Sequence, residues 1–155
     1  MNTAVVRKIV GEILTGKGFV RFKNCWAISS DAVRWIINLD VPPAAGLPNL
    51  DLQYGITFDV DSAEMRANYQ PIYCPSVDQI GAISNPRKLR QCLALSQQCA
   101  DEERTQVIAT GVQEAADFAL AHLTRDSVVD AYRKGVFNNV FVSRGYKQLL
   151  QNAAD

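Results

Sequence analysis

The chain has 155 residues, of which 48% are hydrophobic and 21% are charged, and its 16 basic and 16 acidic side chains give a formal net charge of zero. This composition is typical of a folded globular protein and lies outside the regime of intrinsic disorder. A neutral balance disfavours a nucleic-acid-binding protein, because such proteins take much of their affinity from many lysines and arginines on the phosphate backbone.

The sequence carries no feature of export or of a membrane protein. No apolar run reaches the roughly 20 residues that a membrane span needs. Arg7, Lys8 and Glu12 place charges where a signal peptide would be apolar, so we expect a cytoplasmic protein with no membrane partner. The four cysteines show irregular spacing and no C-x-x-C pair, which predicts reduced and mostly buried thiols: Cys25, Cys74, Cys92 and Cys99.

The first predicted element is an amphipathic helix over residues 4–15, with apolar residues at helical intervals and Thr3 as its N-cap. Gly16 and Gly18 end this helix, because glycine readily takes the left-handed conformation that closes one. After Gly18 the hydrophobic period changes from 3.6 to 2, so strands are expected next.

Four strands are predicted between residues 19 and 58. Residues 19–23 and 25–29 form a hairpin around Asn24, and residues 33–39 place alternate apolar side chains on one face. Residues 50–58 show the clearest alternation in the chain. A loop rich in proline separates these last two strands, and residues 60–83 predict a loop with at most one short strand.

Helices fill the rest of the chain. Asn85 and Pro86 predict one helix start, and the acidic run at residues 101–103 predicts the start of the longest helix. Thr124 and Ser143 are the expected N-caps of two further helices. A helix, a meander and several helices are typical of an α+β fold. We predict a single α+β domain over residues 1–155, with an antiparallel sheet of four to five strands, and with the N-terminal helix and a C-terminal group of helices packed on one face.

The sequence contains no convincing set of catalytic residues. The single histidine, His122, lies among apolar residues of the longest predicted helix, which favours a packing role over proton transfer. Asp59 and Asp61 resemble a carboxylate pair that holds a divalent metal, but the end of a strand and a turn explain both. We therefore expect no enzyme activity, no metal and no cofactor.

Two alternatives stay open. One is an enzyme or small-ligand-binding protein built around Asp59, Asp61, Glu64 and His122. The other is a structural module that forms a homo-oligomer through an open edge of its sheet.

Residues 4–58 resemble the bacterial family known as domain of unknown function 4304. In that family a helix leads to Gly-Phe, a hairpin with an aromatic residue, a strand close to V-I-N-L-Q and a strand ending in N-L-G-I. The matching residues are Gly18, Phe19, Asn24, Trp26, Val33, Ile36, Ile37, Asn38, Leu39, Leu52, Tyr54, Gly55 and Ile56. Residues 118–134 resemble the paired helices of the family. The later cysteine-histidine signature is missing, since Pro75 and Ser76 follow Cys74, so no catalytic residue is transferred.

The resemblance implies an immunity protein that binds a cognate protein toxin and occludes its active site. We expect the protein to be a monomer or weak homodimer. Residues 36–64 carry five acidic side chains and no basic one, a pattern that suits fast electrostatic encounter with a basic partner. Aromatic residues are frequent anchors at such interfaces. The predicted partner-binding residues are Asp40, Asp51, Asp59, Asp61, Glu64 and Tyr54.

Overall fold

A computed structural model of the protein describes residues 1–30, 32–43, 48–58 and 72–153. Its helices are α1 (Thr3–Gly16), α2 (Pro86–Leu93), α3 (Asp101–Ala121), α4 (Arg125–Arg133) and α5 (Arg144–Asn152). Its strands are β1 (Val20–Phe22), β2 (Cys25–Ser29), β3 (Arg34–Asp40), β4 (Asp51–Thr57), β5 (Ile72–Cys74) and β6 (Phe141–Val142), and a short 3₁₀ helix spans Val77–Ile80.

The described strands form one antiparallel sheet in the order β1-β2-β3-β4-β5-β6. Each strand pairs with its neighbours in the sequence, and α2, α3 and α4 lie within the connection from β5 to β6. The α+β class is confirmed. The predicted count of four to five strands is wrong, because the described residues contain six, and a strand as short as β6 offers no alternation to recognise.

The five α-helices of the described residues all contribute side chains to one core, on the same face of the sheet. Strand alternation directs one set of side chains to this core: Trp26, Trp35, Ile37, Leu39, Leu52, Tyr54, Ile56, Ile72 and Val142. The helices add Val6, Val10, Leu14, Leu89, Ile108, Val112, Ala115, Ala119, Val128 and Leu150. The other face of the sheet carries a small apolar cluster of Cys25, Ala27 and Ile36, against which Phe22 and Tyr73 pack.

Helices α2, α4 and α5 begin after their predicted capping residues, although the side chain of Ser143 makes no capping hydrogen bond to α5. Asn85 and Thr124 each accept a hydrogen bond from a backbone N–H in the first turn of the helix that follows. Helix α1, in contrast, is capped by Asn2, whose side chain accepts from the Val5 N–H, so the assignment of Thr3 as N-cap is wrong. Gly18 has a φ of 90°, as the predicted helix stop requires.

The β1–β2 turn differs from the prediction at one position. Lys23, and not Asn24, has the positive φ, at 53°. This angle costs a residue with a side chain about 1–2 kcal/mol, and it falls at the first position of the two-residue turn that pairs Phe22 with Cys25. None of the helices in the described residues is long and apolar enough to cross a membrane.

Candidate functional site

A cleft of about 640 Å³ lies where the ends of β3 and β4 approach α2. Its first wall comes from the sheet and the adjoining loop: Asp40, Pro42, Asn49, Leu50 and Asp51. Its second wall comes from α2 and the segment after it: Arg87, Arg90, Gln91, Ala94, Ser96 and Gln97.

Strand register places the two aspartates of the first wall together. Asp40 and Asp51 are direct partners at the end of the β3–β4 ladder, so both side chains point to the same face of the sheet. On that face the next pair, Asn38 and Gln53, is joined by a hydrogen bond of 2.9 Å from Asn38 Nδ2 to Gln53 Oε1. Both aspartates are half-buried.

Two backbone hydrogen bonds fix the distance between the two walls. The Leu50 N–H donates to Leu93 O at 3.0 Å, and the Leu95 N–H donates to Pro48 O at 3.1 Å. These bonds flank an isolated bridge between Asn49 and Ala94. The loop before β4 is therefore joined to the end of α2, and the base of the cleft is fixed by main-chain atoms.

Asp51 lies in a partly dehydrated environment. Burial is the main reason that the pKa of its carboxyl group is raised above 3.8, and the negative charge of Asp78 adds to the effect. The Ser76 hydroxyl, which donates to Asp51 Oδ1 at 2.8 Å, and the charge of Arg90 act in the opposite direction. The charged form of Asp51 thus lacks part of the solvation that a carboxylate has in water.

The negative field of the first wall extends along the sheet to Tyr73. The pKa of the Tyr73 hydroxyl is raised, first by burial and then by the charges of Asp40 and Asp51. A third carboxylate, Asp78, has a side chain only 10% exposed and forms an ion pair with Arg90. The carboxylates that line the cleft itself, Asp40 and Asp51, both lie on strands.

The second wall is basic. Arg90 is paired with Asp78, and this pairing raises the pKa of Arg90 through a hydrogen bond and through charge. Arg87, one helical turn earlier, is exposed, and within the part of the chain that the structure describes no ion pair holds its guanidinium group. The cleft therefore presents carboxylates on one side and an available guanidinium group on the other.

A buried arginine from α3 holds the segment that follows α2. Arg104 is 3% exposed, and its guanidinium group donates to three carbonyl groups of this segment. Nη1 reaches Cys92 O at 2.6 Å and Ala94 O at 3.2 Å, and Nη2 reaches Gln97 O at 2.6 Å. These carbonyls lie at or just beyond the C-terminus of α2, where the helix dipole favours a cation. These hydrogen bonds order the second wall.

The structure brings together two of the residues predicted to bind a partner. Asp40 and Asp51 both line the cleft. Tyr54 does not belong to this surface: it is 0% exposed, and its hydroxyl donates to Ala115 O at 2.6 Å. Its assignment as a partner-binding residue is therefore wrong, because its side chain faces the core. The predictions for Asp59, Asp61 and Glu64 lie outside the described residues.

His122 has a structural environment. It caps the C-terminus of α3, its ring stacks on Phe118 with centroids 4.2 Å apart, and its Nδ1 lies 2.7 Å from Phe118 O. The backbone carbonyl of His122 accepts from Trp35 Nε1 at 2.7 Å. These contacts agree with the predicted packing role. In the described ranges, no group of three or more histidine, cysteine, aspartate or glutamate side chains is placed to hold a metal ion.

The sequence does not predict the basic wall. Asn85 marks the start of α2, yet periodicity identifies only the buried face of this helix, which contains Leu89, Cys92 and Leu93. Arg87 and Arg90 belong to the remaining polar face, which in most helices is simply solvated. Their importance depends on which part of the sheet α2 approaches, and that is a property of the tertiary structure.

The cleft can form ion pairs with both the positive and the negative groups of a bound molecule. Carboxylates accept bidentate hydrogen bonds from arginine, and a guanidinium group donates them to a carboxylate or phosphate. Such groups suit a partner segment that carries both charges. Comparison of the chain with protein-family models, with curated proteins and with solved structures found no match.

Proposed function

We propose that the protein is an immunity protein, which binds a cognate protein toxin in the bacterial cytoplasm and occludes its active site. The observation that carries the proposal is the placement of Asp40 and Asp51 side by side on the wall of the cleft. We propose that a lysine or arginine of the toxin enters the cleft and pairs with these two carboxylates.

The incomplete solvation of the Asp51 carboxylate supports a cationic group as the occupant of the cleft. Burial disfavours its charged form in the free protein, as the direction of its pKa shift indicates. A cation brought next to this carboxylate by a partner stabilises the charge that the protein itself solvates poorly. Truncating one member of a buried charge pair at an interface typically costs about 2–5 kcal/mol of binding free energy.

The rigidity of the cleft supports tight binding. The backbone bonds between residues 48–50 and 93–95 and the three hydrogen bonds of Arg104 order both walls in advance. A site that is ordered before binding loses less conformational entropy when a partner docks. This property suits an inhibitor, whose partner must dissociate slowly.

The available guanidinium of Arg87 adds selectivity. A toxin segment with an acidic residue opposite Arg87 would complement both walls, whereas a purely basic segment would place a cation against this arginine. Like charges brought together at an interface disfavour the wrong partner. The resemblance of residues 4–58 to domain of unknown function 4304 is the sequence-level reason for choosing a toxin as the partner class.

The test is co-expression with the product of the gene immediately upstream, followed by co-purification and measurement of the dissociation constant. We expect a complex, protection of cells from the toxic product, and at least tenfold weaker binding for the double variant Asp40→Lys and Asp51→Lys. Glu102→Lys is the matched control, because Glu102 is an exposed acidic residue outside the cleft. It should change the affinity by less than twofold.

Two results would contradict the proposal at different levels. If no complex forms and no protection is seen, the immunity function is wrong. If a complex forms but the Asp40/Asp51 variant binds as tightly as the control, the function stands and the assignment of the cleft is wrong. Circular dichroism spectra of both variants establish that each is folded.

A homo-oligomeric interaction module is the second candidate, favoured by exposed apolar side chains on both edge strands. Val20 on β1 is 69% exposed, and Phe141 on β6 is 60% exposed. Unpaired edges invite pairing with another chain, although edge strands of two or three residues reduce this tendency. Sedimentation over a hundredfold range of concentration distinguishes the candidates, since a monomer at every concentration excludes this one.

A further inference from the structure

We propose that Cys92 and Cys99 form a redox-active dithiol, which a hydroperoxide converts to an intramolecular disulfide bond. Their sulfur atoms lie 3.8 Å apart, in direct contact, although the two residues are separated by the turn that joins α2 to α3. The chemistry does not depend on the identity of any protein partner.

Formation of the disulfide bond requires only a small movement of the two sulfur atoms. A disulfide bond is about 2.05 Å long, so the two sulfur atoms need to approach by less than about 2 Å. The intervening segment is already held in place by Arg104, whose guanidinium group binds Cys92 O, Ala94 O and Gln97 O. The thiols therefore meet in a preordered loop, and little chain entropy is lost when the bond closes.

The two cysteines differ in accessibility, which assigns their roles. Cys99 is half-buried and follows exposed Gln97 and Gln98, so an oxidant in solution reaches its sulfur. Cys92 is 1% exposed, and burial is the main cause that raises the pKa of its thiol to about 11. Cys99 is therefore the residue that the peroxide oxidises first, and Cys92 is the resolving residue.

The charges around the pair belong to α2 and α3. Lys88 and Glu103 form an ion pair of 2.6 Å, and the Cys99 thiol lies 3.5 Å from Glu103 Oε2. The positive charges of Lys88 and Arg104 act to lower the pKa of Cys92, although burial outweighs them. Both cations therefore favour the thiolate of Cys92, the resolving residue.

The reaction with hydrogen peroxide balances in two steps. The Cys99 thiolate attacks a peroxide oxygen, the O–O bond breaks, and the departing hydroxide takes a proton to give water, leaving a sulfenic acid on Cys99. The sulfur of Cys92 then attacks the sulfur of Cys99 and the S–O bond breaks. The hydroxide released takes the proton of Cys92 as a second water. Two thiols lose two electrons in total, and one peroxide is reduced to two waters.

The remaining cysteines are not placed for this chemistry. Cys74 is 1% exposed, its thiol donates to Ser76 O at 2.7 Å, and burial raises its pKa to about 12. Cys25 is 6% exposed, on the opposite face of the sheet from the main core, and its thiol donates to Phe22 O. We expect both to stay reduced under conditions that oxidise Cys99.

Oxidation would act on the cleft. Ala94, Ser96 and Gln97 line its second wall and lie between the two cysteines in the sequence. A bond from Cys92 to Cys99 closes this segment into a small ring, so the wall becomes covalently constrained. Amide hydrogen exchange in residues 94–98 should slow after oxidation.

The experiment treats the reduced, folded protein with hydrogen peroxide and then labels the free thiols. We expect the mass to fall by about 2 Da, two of the four thiols to escape labelling, and dithiothreitol to restore both. Trypsin cleaves after Arg90 and Arg104, so both cysteines lie in the one peptide 91–104, which should carry the bridge. Loss of the Cys99 thiol should be at least tenfold faster than loss of the Cys25 or Cys74 thiol.

Cys99→Ser should abolish the 2 Da loss, and Cys25→Ala is the matched control that should keep it. Cys99 is chosen for the first variant because a serine is tolerated at a half-buried position more readily than at Cys92. The proposal is overturned if the native protein keeps four reactive thiols, if peptide 91–104 accumulates sulfinic acid without a bridge, or if the bridge joins two molecules.

Discussion

The hydroxyl of Tyr54 donates a hydrogen bond of 2.6 Å to the backbone carbonyl of Ala115. This bond ties the central strand β4 to α3, the longest helix, and the Tyr54 ring meets the ring of Trp35 edge-on at 5.1 Å. Both rings lie beneath the helices on the core side of the sheet. Asp51, three residues earlier in β4, points to the other face. The same strand therefore directs Tyr54 into the core and Asp51 into the cleft.

Replacing Tyr54 with phenylalanine should reduce the free energy of unfolding by about 1–2 kcal/mol, because a buried hydrogen bond is lost while the ring is kept. Urea denaturation measures this change. Partner affinity should stay within twofold of the wild type. A variant as stable as the wild type would show that the hydrogen bond contributes nothing to stability. A large loss of affinity would show that Tyr54 does take part in binding the partner.

Replacing Arg104 with methionine should reduce the free energy of unfolding by about 3 kcal/mol or more, since hydrogen bonds from a charged donor are worth about 1.5–3 kcal/mol each. Three carbonyl groups of the segment after α2 lose their donor. Arg87→Met, at an exposed position, is the control and should change stability by less than about 0.5 kcal/mol. Hydrogen exchange should show faster opening of residues 94–98 in the Arg104 variant alone.

Two glycines in helices should respond to alanine with opposite signs. At Gly11 a new Cβ would lie 3.4 Å from Trp26 Cζ2, an ordinary contact, so the helix should gain about 0.5–1 kcal/mol. At Gly111 a Cβ would lie 2.8 Å from both terminal methyl groups of Leu89, which is 3% exposed. Overpacking at this α2–α3 contact should cost about 1–2 kcal/mol. Thermal melts of the two variants make the comparison, and a gain at both positions would contradict it.

Asp51→Asn should stabilise the protein more at neutral pH than at pH 3. The folded-state pKa of Asp51 is raised above 3.8, chiefly by burial, so the folded protein binds this proton more tightly than the unfolded chain. The carboxyl group therefore costs stability as pH rises through the folded-state pKa, and the cost is complete at neutral pH. Asparagine removes it and keeps an oxygen that accepts from Ser76.

Urea midpoints of the wild type and the Asp51→Asn variant at pH 3 and pH 7 test this sign. A gain that is larger at pH 3 would show that Asp51 is stabilised as a carboxylate in the folded state, opposite to our expectation. If Asp51 serves binding, the stabilised variant should also bind its partner more weakly. Such a trade-off is common at residues that are retained for function at a cost in stability.

Much of the fold follows from local patterns in the sequence. The alternation in residues 50–58 and the acidic run in the first turn of α3 depend on neighbours two to four positions apart, so they predict β4 and the start of α3 directly. Thr124 and Asn85 cap helices as expected, because a capping side chain bonds to backbone only three residues away. Errors arose where several residues satisfy the same local requirement, as Asn2 and Thr3 do at α1.

The cleft, in contrast, depends on contacts between distant parts of the chain. By itself the sequence determined that Asp40 and Asp51 are polar residues near the ends of strands, that Tyr54 is an aromatic residue on an alternating strand, and that no disulfide motif is present. Only the tertiary structure placed Arg87 opposite the two aspartates, buried Tyr54 under α3, and brought Cys99 against Cys92. The physical reason is that periodicity specifies which face of an element is apolar, whereas the packing of those apolar faces decides which polar residues become neighbours.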